Sequence, residues 1–259
     1  NSVTITYGAA TKLKITRQAA GAVNGVAFTT QPQVTVQDVS GNTVTNSTAT
    51  ITVESSGSTL SGNSVAPTLS NGVATFSGLT HTGLKGTYVL TFRSTGLAPD
   101  NQDITVAFGA ATKLVLTTAP LGFVNRADFT TQPVITVQDA SGNRVEDSAI
   151  YVDVAINSGT LTGTTHVQAI NGIVTFTGLG KRDLIGNDPS RTLTFSKTGG
   201  GLTEATVDFT LTYGAVNKLA ISVANTLVND TAFATQPVVT IQDEDGNTVT
   251  DQNTLVTLT

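Results

Sequence analysis

Along this chain apolar residues fall at every second position within short runs, and nowhere with the three-and-four spacing of a helix face. Runs near 11–17, 32–38, 49–55, 58–61, 72–77, 86–93 and 102–108 read as strands, and a second set near 112–118, 133–139, 150–156, 160–163, 172–177, 191–197 and 206–213 repeats their order. Alternation turns Leu13 and Ile15, Val34 and Val36, Ala74 and Phe76, and Leu90 and Phe92 inward. Ile135 and Val137, Val174 and Phe176, and Leu193 and Phe195 are their counterparts. Turn residues separate the runs, among them Ser40-Gly41-Asn42, Ser56-Gly57 and Gly96, and the Asn-Gly pairs at Asn71-Gly72 and Asn171-Gly172 predict tight reversals.

One stretch of fifteen residues occurs three times: FTTQPQVTVQDVSGN from Phe28, FTTQPVITVQDASGN from Phe129 and FATQPVVTIQDEDGN from Phe233. A period of about 100 residues is one domain per repeat. The chain therefore divides into a closing strand of a preceding repeat (1–8), a whole repeat (9–108), a second whole repeat (109–213) and the first half of another (214–259). Residues 1–7, NSVTITY, match the closing strands at 103–108 and 208–213, and the natural chain is expected to continue in both directions. The joints, Gly8-Ala-Ala-Thr, Gly109-Ala-Ala-Thr and Gly214-Ala-Val-Asn, are short and carry no acid, so they are expected to bend but not to separate. These patterns predict an all-β fold of tandem immunoglobulin-like β-sandwich domains in an extended array, each repeat roughly 35–45 Å long at about 3.3 Å per strand residue.

Composition narrows the partners. Thirteen basic against eighteen acidic residues leave a net charge of −5 with no basic stripe, which argues against nucleic acid. Cysteine is absent, which removes disulfides and thiolate metal sites. No apolar run is long enough to span a bilayer as a helix. Abundant Thr, Ser, Asn and Gly with few Lys and Glu fit an exported surface protein, and neighbouring repeats or identical chains are the expected partners.

In order, V-x-D-x-x-G-N-x-V, S-G-x-L-(S/T)-G and N-G-(V/I)-x-T-F-x-G-L resemble the bacterial immunoglobulin-like repeats of invasin- and intimin-type surface proteins. The resemblance implies sandwiches that project a binding domain from a cell or tile a surface layer or filament. It makes a structural spacer of an extracellular surface protein the leading expectation, and no enzymatic activity is expected because the sequence shows no Gly-rich phosphate loop, nucleophile elbow or convergent carboxylate pair. The alternatives are a glycan- or protein-binding ancillary module of a secreted enzyme and a phage decoration domain.

Residues with potential chemistry each have a plainer reading. His81 and His166 do not occupy equivalent places, and both read as solvated loop histidines. Asp38, Asp139 and Asp243 open the turn in each copy; Asp243-Glu244-Asp245 is a calcium candidate, while a turn aspartate bonding its own backbone explains the repetition as well. Lys12, Lys113 and Lys218 begin each first strand and point outward, against an intramolecular Lys–Asn crosslink. The stretch Gly180–Arg191, with Lys181, Arg182, Asp183, Asp188 and Arg191, departs most between repeats and reads as a solvated insertion or a binding loop. Asn46 and Asn229 fit the glycan acceptor pattern. No catalytic, metal or cofactor site is assigned.

Overall fold

The computed structural model describes residues 6–62, 69–185, 189–223, 229–233 and 235–257. It is all-β, and it divides into two compact units: residues 1–111 with 138–145, and residues 112–137 with 146–259. The expected strand at residues 1–7 falls almost wholly outside the described residues, as does Asp188.

The first unit contains β1 (Ala10–Arg17), β2 (Gln33–Asp38), β3 (Thr52–Ser55), β4 (Thr59–Ser61), β5 (Val73–Thr75), β6 (Thr80–Thr82), β7 (Gly86–Arg93) and β8 (Asp100–Val106). One sheet runs β1-β2-β5, another β3-β7-β8, and β4 pairs with β6. Their antiparallel ladders place Val34 opposite Ala74 and Val53 opposite Phe92. The inward residues expected from alternation, Leu13, Val34, Val36, Ala74, Phe76, Leu90 and Phe92, are buried in one core, and Ile15 is partly buried against it. Phe76 and Phe92, from the two sides, meet edge to face with ring centroids 5.4 Å apart. Asn71 and Gly72 both have positive φ (49° and 76°), as a type I′ turn requires and as the Asn-Gly pair predicts.

The second unit repeats the plan with β9 (Lys113–Thr118), β10 (Val134–Gln138), β11 (Tyr151–Ile156), β12 (Thr160–Thr162), β13 (His166–Gln168), β14 (Ile173–Thr175), β15 (Gly180–Arg182), β16 (Ser190–Lys197) and β17 (Ala205–Thr210). The sheets are β14-β10-β9 and β13-β11-β16-β17, with β12 paired to β15. The equivalent aromatic pair, Phe176 and Phe195, again has centroids 5.4 Å apart. Two further strands, β18 (Lys218–Ser222) and β19 (Val238–Gln242), form a separate antiparallel pair.

The recurring Gln of the F-x-T-Q-P stretch has a structural task. The Gln31 carboxamide donates to the Phe28 and Leu79 carbonyls and accepts from the Leu79 N–H, and Gln132 does the same with Phe129 and Leu179. Each clamps the approach to β2 or β10 against the chain entering β6 or β15. The short strands β6, β13 and β15 escape sequence reading because Thr80-His-Thr, His166-Val-Gln and Gly180-Lys-Arg carry no alternation of apolar residues.

Two expectations are overturned here. His81 lies in β6 with its ring fully buried against Tyr88, centroids 4.4 Å apart, so it is a core residue and not a solvated loop histidine. Within the stretch 180–191 the solvated reading fails for two charged residues, since Gly180–Arg182 forms β15 and Lys181 and Arg191 are buried, while Arg182 and Leu184 are exposed. Lys181 occupies the register position of His81: Leu161 faces Lys181 as Leu60 faces His81.

Candidate functional site: an aspartate clasp at each joint

Each copy of the long repeated stretch ends in Asp-x-x-x-Asn. The Asp N–H donates to the Asn carbonyl, and one carboxylate oxygen accepts the Asn N–H (2.8 Å at Asp38, 2.9 Å at Asp139 and Asp243), closing the expected aspartate turn. The other oxygen does something the sequence does not announce. It accepts the backbone N–H of the joint glycine: Gly8 onto Asp38 at 2.8 Å, Gly109 onto Asp139 at 2.8 Å and Gly214 onto Asp243 at 2.9 Å. The joints contain no acid in sequence, yet each is pinned by one in space. The same oxygen also takes the side-chain amide of the turn asparagine, Asn42, Asn143 or Asn247.

At two of the three copies the clasp has a further member. Within the first unit the Asn24 side chain donates to Asp139 Oδ2 at 2.8 Å, and its oxygen accepts the Gly83 N–H at 2.9 Å and the Ser141 hydroxyl at 3.2 Å. Within the second, Asn125 donates to Asp243 Oδ2 at 3.0 Å and Asp245 Oδ2 at 2.7 Å and accepts the Asp183 N–H at 2.9 Å. Both asparagines are buried. Each sits in a V-N-x-x-x-F segment whose backbone is held just past the closing strand: Asn24 N–H donates to the Ala107 carbonyl and Asn125 N–H to that of Thr212. The residue after each asparagine is left-handed (Gly25 φ 74°, Arg126 φ 62°), as in a tight turn.

The turn asparagine reads backbone as well. Asn143 donates to the Gly83 carbonyl at 3.0 Å and accepts the Lys85 N–H at 2.8 Å; Asn247 donates to the Asp183 carbonyl at 3.0 Å and accepts the Ile185 N–H at 2.6 Å. Buried Asn143 and Asn247 thereby satisfy both ends of their amides.

These donors keep the carboxylates ionised. At Asp38 the Gly8 N–H and the Asn42 side chain hold the pKa at about 2. At Asp243 burial pushes upward, but the donors from Asn247, Gly214 and Asn125 outweigh it and hold the group at about 2. Asp139 is lowered in the same way, burial being outweighed by Asn143, Gly109 and Asn24.

The other candidates fall into place around the clasp. Lys12 and Lys218 do point outward, and their ammonium groups donate to the carbonyls of Val39 and Glu244 just past the turn aspartates (3.4 and 2.9 Å). In the calcium candidate, Asn125 donates to both Asp243 and Asp245, and the Arg126 guanidinium grips Glu244 through Nε and Nη2 (3.0 and 2.7 Å) and Asp245 through Nη1 (3.3 Å). Among the described residues no group of three or more acids or histidines is arranged to hold a metal ion.

Deep in the second unit, Lys181 and Arg191 share the Asp183 carboxylate at 3.1 and 2.8 Å. Burial lowers the Lys181 pKa against the opposing pull of Asp183. His166 is exposed, stacks on Tyr151 with centroids 4.6 Å apart and bonds Asp153 at 2.5 Å. Asn46 and Asn229 are both exposed. Sequence reading missed Asn24 and Asn125 and took the three joint glycines only as places to bend; the signal was present as V-N-x-x-x-F ahead of every copy, in Asn24, Asn125 and Asn229.

No protein-family model matches the chain, and no curated protein matches it. Solved structures do. The Escherichia coli adhesin FdeC is similar at 17% identity over 95% of this chain and 79% of its own, with a TM-score of 0.43. The Yersinia pseudotuberculosis adhesin InvE is similar at 15% identity over 82% of this chain and 65% of its own, TM-score 0.34. A β-glycosidase from Bacteroides vulgatus is similar at 13% identity over 79% of this chain, TM-score 0.32, and the chain spans about a quarter (25%) of that enzyme's length.

Proposed function

We propose that these repeats are a structural spacer within an extracellular prokaryotic surface protein of the adhesin kind. The observation that carries this reading is the clasp. Side chains that elsewhere would do chemistry are consumed in repeated bonds: an asparagine of one repeat donates to the turn aspartate of the next, and that aspartate also holds the joint glycine of its own repeat. A spacer needs such ties at every joint and needs no reactive group. The export-like composition and the sequence resemblance to invasin-type repeats point the same way. Antibodies raised against the chain should label intact, unpermeabilised cells of the source organism; labelling that requires lysis refutes the surface assignment.

A second reading has one observation behind it. Tyr151 and His166 form an exposed stacked pair beside Asp153, a surface on which a sugar ring could lie. A glycan screen of the purified chain giving a hit lost on Tyr151→Ala would make binding the primary role.

A further inference from the structure

We propose that the surface formed by Thr6, Gly8, Asp38 and Asn42 is a docking socket for the V-N-x-x-x-F loop of a preceding repeat in the same polypeptide. In that pairing an asparagine carboxamide donates to Asp38 Oδ2, and Asn42 reads the backbone of the companion loop. This rests on the tandem-spacer reading above and extends it to a specific surface and partner.

Three observations on the first copy carry it. Asn42 has the same turn position and the same bond to its aspartate as Asn143 and Asn247, yet it is exposed where they are buried. What buries those two is the backbone at 83–85 and 183–185, which their carboxamides read through one donated and one accepted bond. An open groove of about 320 Å³, lined by Thr6, Tyr7, Asn42 and Thr43, lies beside Asn42.

The second observation is the glycine. A Cβ on Gly109 would stand 2.6 Å from the Asn24 carbonyl oxygen, and one on Gly214 would stand 2.8 Å from that of Asn125. Close approach of the asparagine loop therefore demands glycine there. A Cβ on Gly8 would meet nothing nearer than the Asp38 side chain at 3.5 Å, an ordinary contact. None of the three has positive φ, so nothing in the described residues requires glycine at position 8. The loop of a preceding repeat would.

The third observation identifies the source. In both occupied copies the asparagine loop is bonded to the residue two places before the joint glycine, Ala107 or Thr212, just past the closing strand, so one repeat supplies the strand, the loop and the lead into the glycine. Thr6 stands two places before Gly8. A loop from a separate chain would lack that continuity.

The test extends the chain: residues 9–101 are added ahead of Asn1, so that residues 1–7 close the added repeat. Hydrogen exchange of the 38–44 segment, read by mass spectrometry, should slow at least tenfold relative to the original chain and approach that of 138–145 in the same molecule. Replacing by alanine the added copy's equivalent of Asn24, or Gly8 itself, should abolish the gain, whereas Gly8→Ala in the original chain should leave its thermal midpoint unchanged. Unaltered exchange at 38–44, protection that survives the asparagine replacement, or an added repeat that stays unprotected along its equivalent of 86–93 each overturns the proposal. So does concentration-dependent protection of 38–44 in the original chain, which would assign the socket to a second copy. None of these readouts depends on where the protein resides, so the proposal and the surface assignment fail separately.

Discussion

The three asparagines of V-N-x-x-x-F offer one substitution in three settings, and alanine should separate them sharply. Asn24 gives one bond to a carboxylate and accepts two more, from an amide and a hydroxyl. A bond to a charged group contributes about 1.5–3 kcal/mol and a neutral one about 0.5–1.5. Asp139 keeps its bonds to Gly109 and Asn143 and is not orphaned, but the Gly83 N–H loses its acceptor. Asn24→Ala should therefore cost about 3–4 kcal/mol, and Asn125→Ala, which abandons two carboxylates, at least as much. Asn229 is exposed, with its amide on the neighbouring Asp230, so Asn229→Ala should stay within about 0.5 kcal/mol. Urea unfolding followed by far-ultraviolet circular dichroism measures all three, with an unchanged denaturant slope marking a change in stability alone. A cost under about 1 kcal/mol for Asn24→Ala, or equal costs at positions 24 and 229, would refute the clasp as the source of stability.

Gly109→Ala and Gly214→Ala should each cost about 1–3 kcal/mol, because the new methyl meets an asparagine carbonyl at 2.6 or 2.8 Å; calorimetry would check this, and a neutral result would mean the loop yields freely. Asp243 predicts an acid limit: its carboxyl, held at about 2, below the usual 3.8, contributes stability that is full above pH 4 and is lost as pH falls toward 2, worth roughly 2 kcal/mol for this buried group. A pH series of thermal midpoints that is flat from 4 to 2 contradicts it. His81→Phe should stabilise the first unit by about 1–3 kcal/mol, since no described residue bonds either ring nitrogen, and the gain should grow below pH 6.5, where the unfolded imidazole protonates and burial lowers the folded pKa. Asp183→Ala should cost about 3–5 kcal/mol by leaving Lys181 and Arg191 without their shared carboxylate, while Lys181→Met should be near neutral; equal losses for both would count against a shared-carboxylate account.

Strand after strand was legible in the sequence because a half-buried sheet stamps its period of two on the chain, and Val34, Val36, Phe76 and Phe92 are buried where alternation puts them. His81 misled because it lies in a three-residue strand, where a buried imidazole and a solvated one look alike. Lys181 misled for a related reason: charge reads as exposure, and only three dimensions reveal Asp183 beside it. The clasp was half legible. Its aspartate stood out as the head of a turn, but Asn24 lies 115 residues from Asp139 and Gly109 lies 30 away, so their chemistry is set by topology and not by local spacing. A short motif found three times, V-N-x-x-x-F, coincides with the contact at two of its copies without naming the partner.

The clasp has a direction. At both joints where it is complete, an asparagine loop of one repeat meets the aspartate turn of the repeat after it, and the two are unlike surfaces. A gene that gains or loses a whole repeat by duplication or slippage therefore creates no mismatched end: the flanking loop and turn meet as before. Length becomes a variable that selection can change in steps of about 100 residues, without inventing a new joint each time.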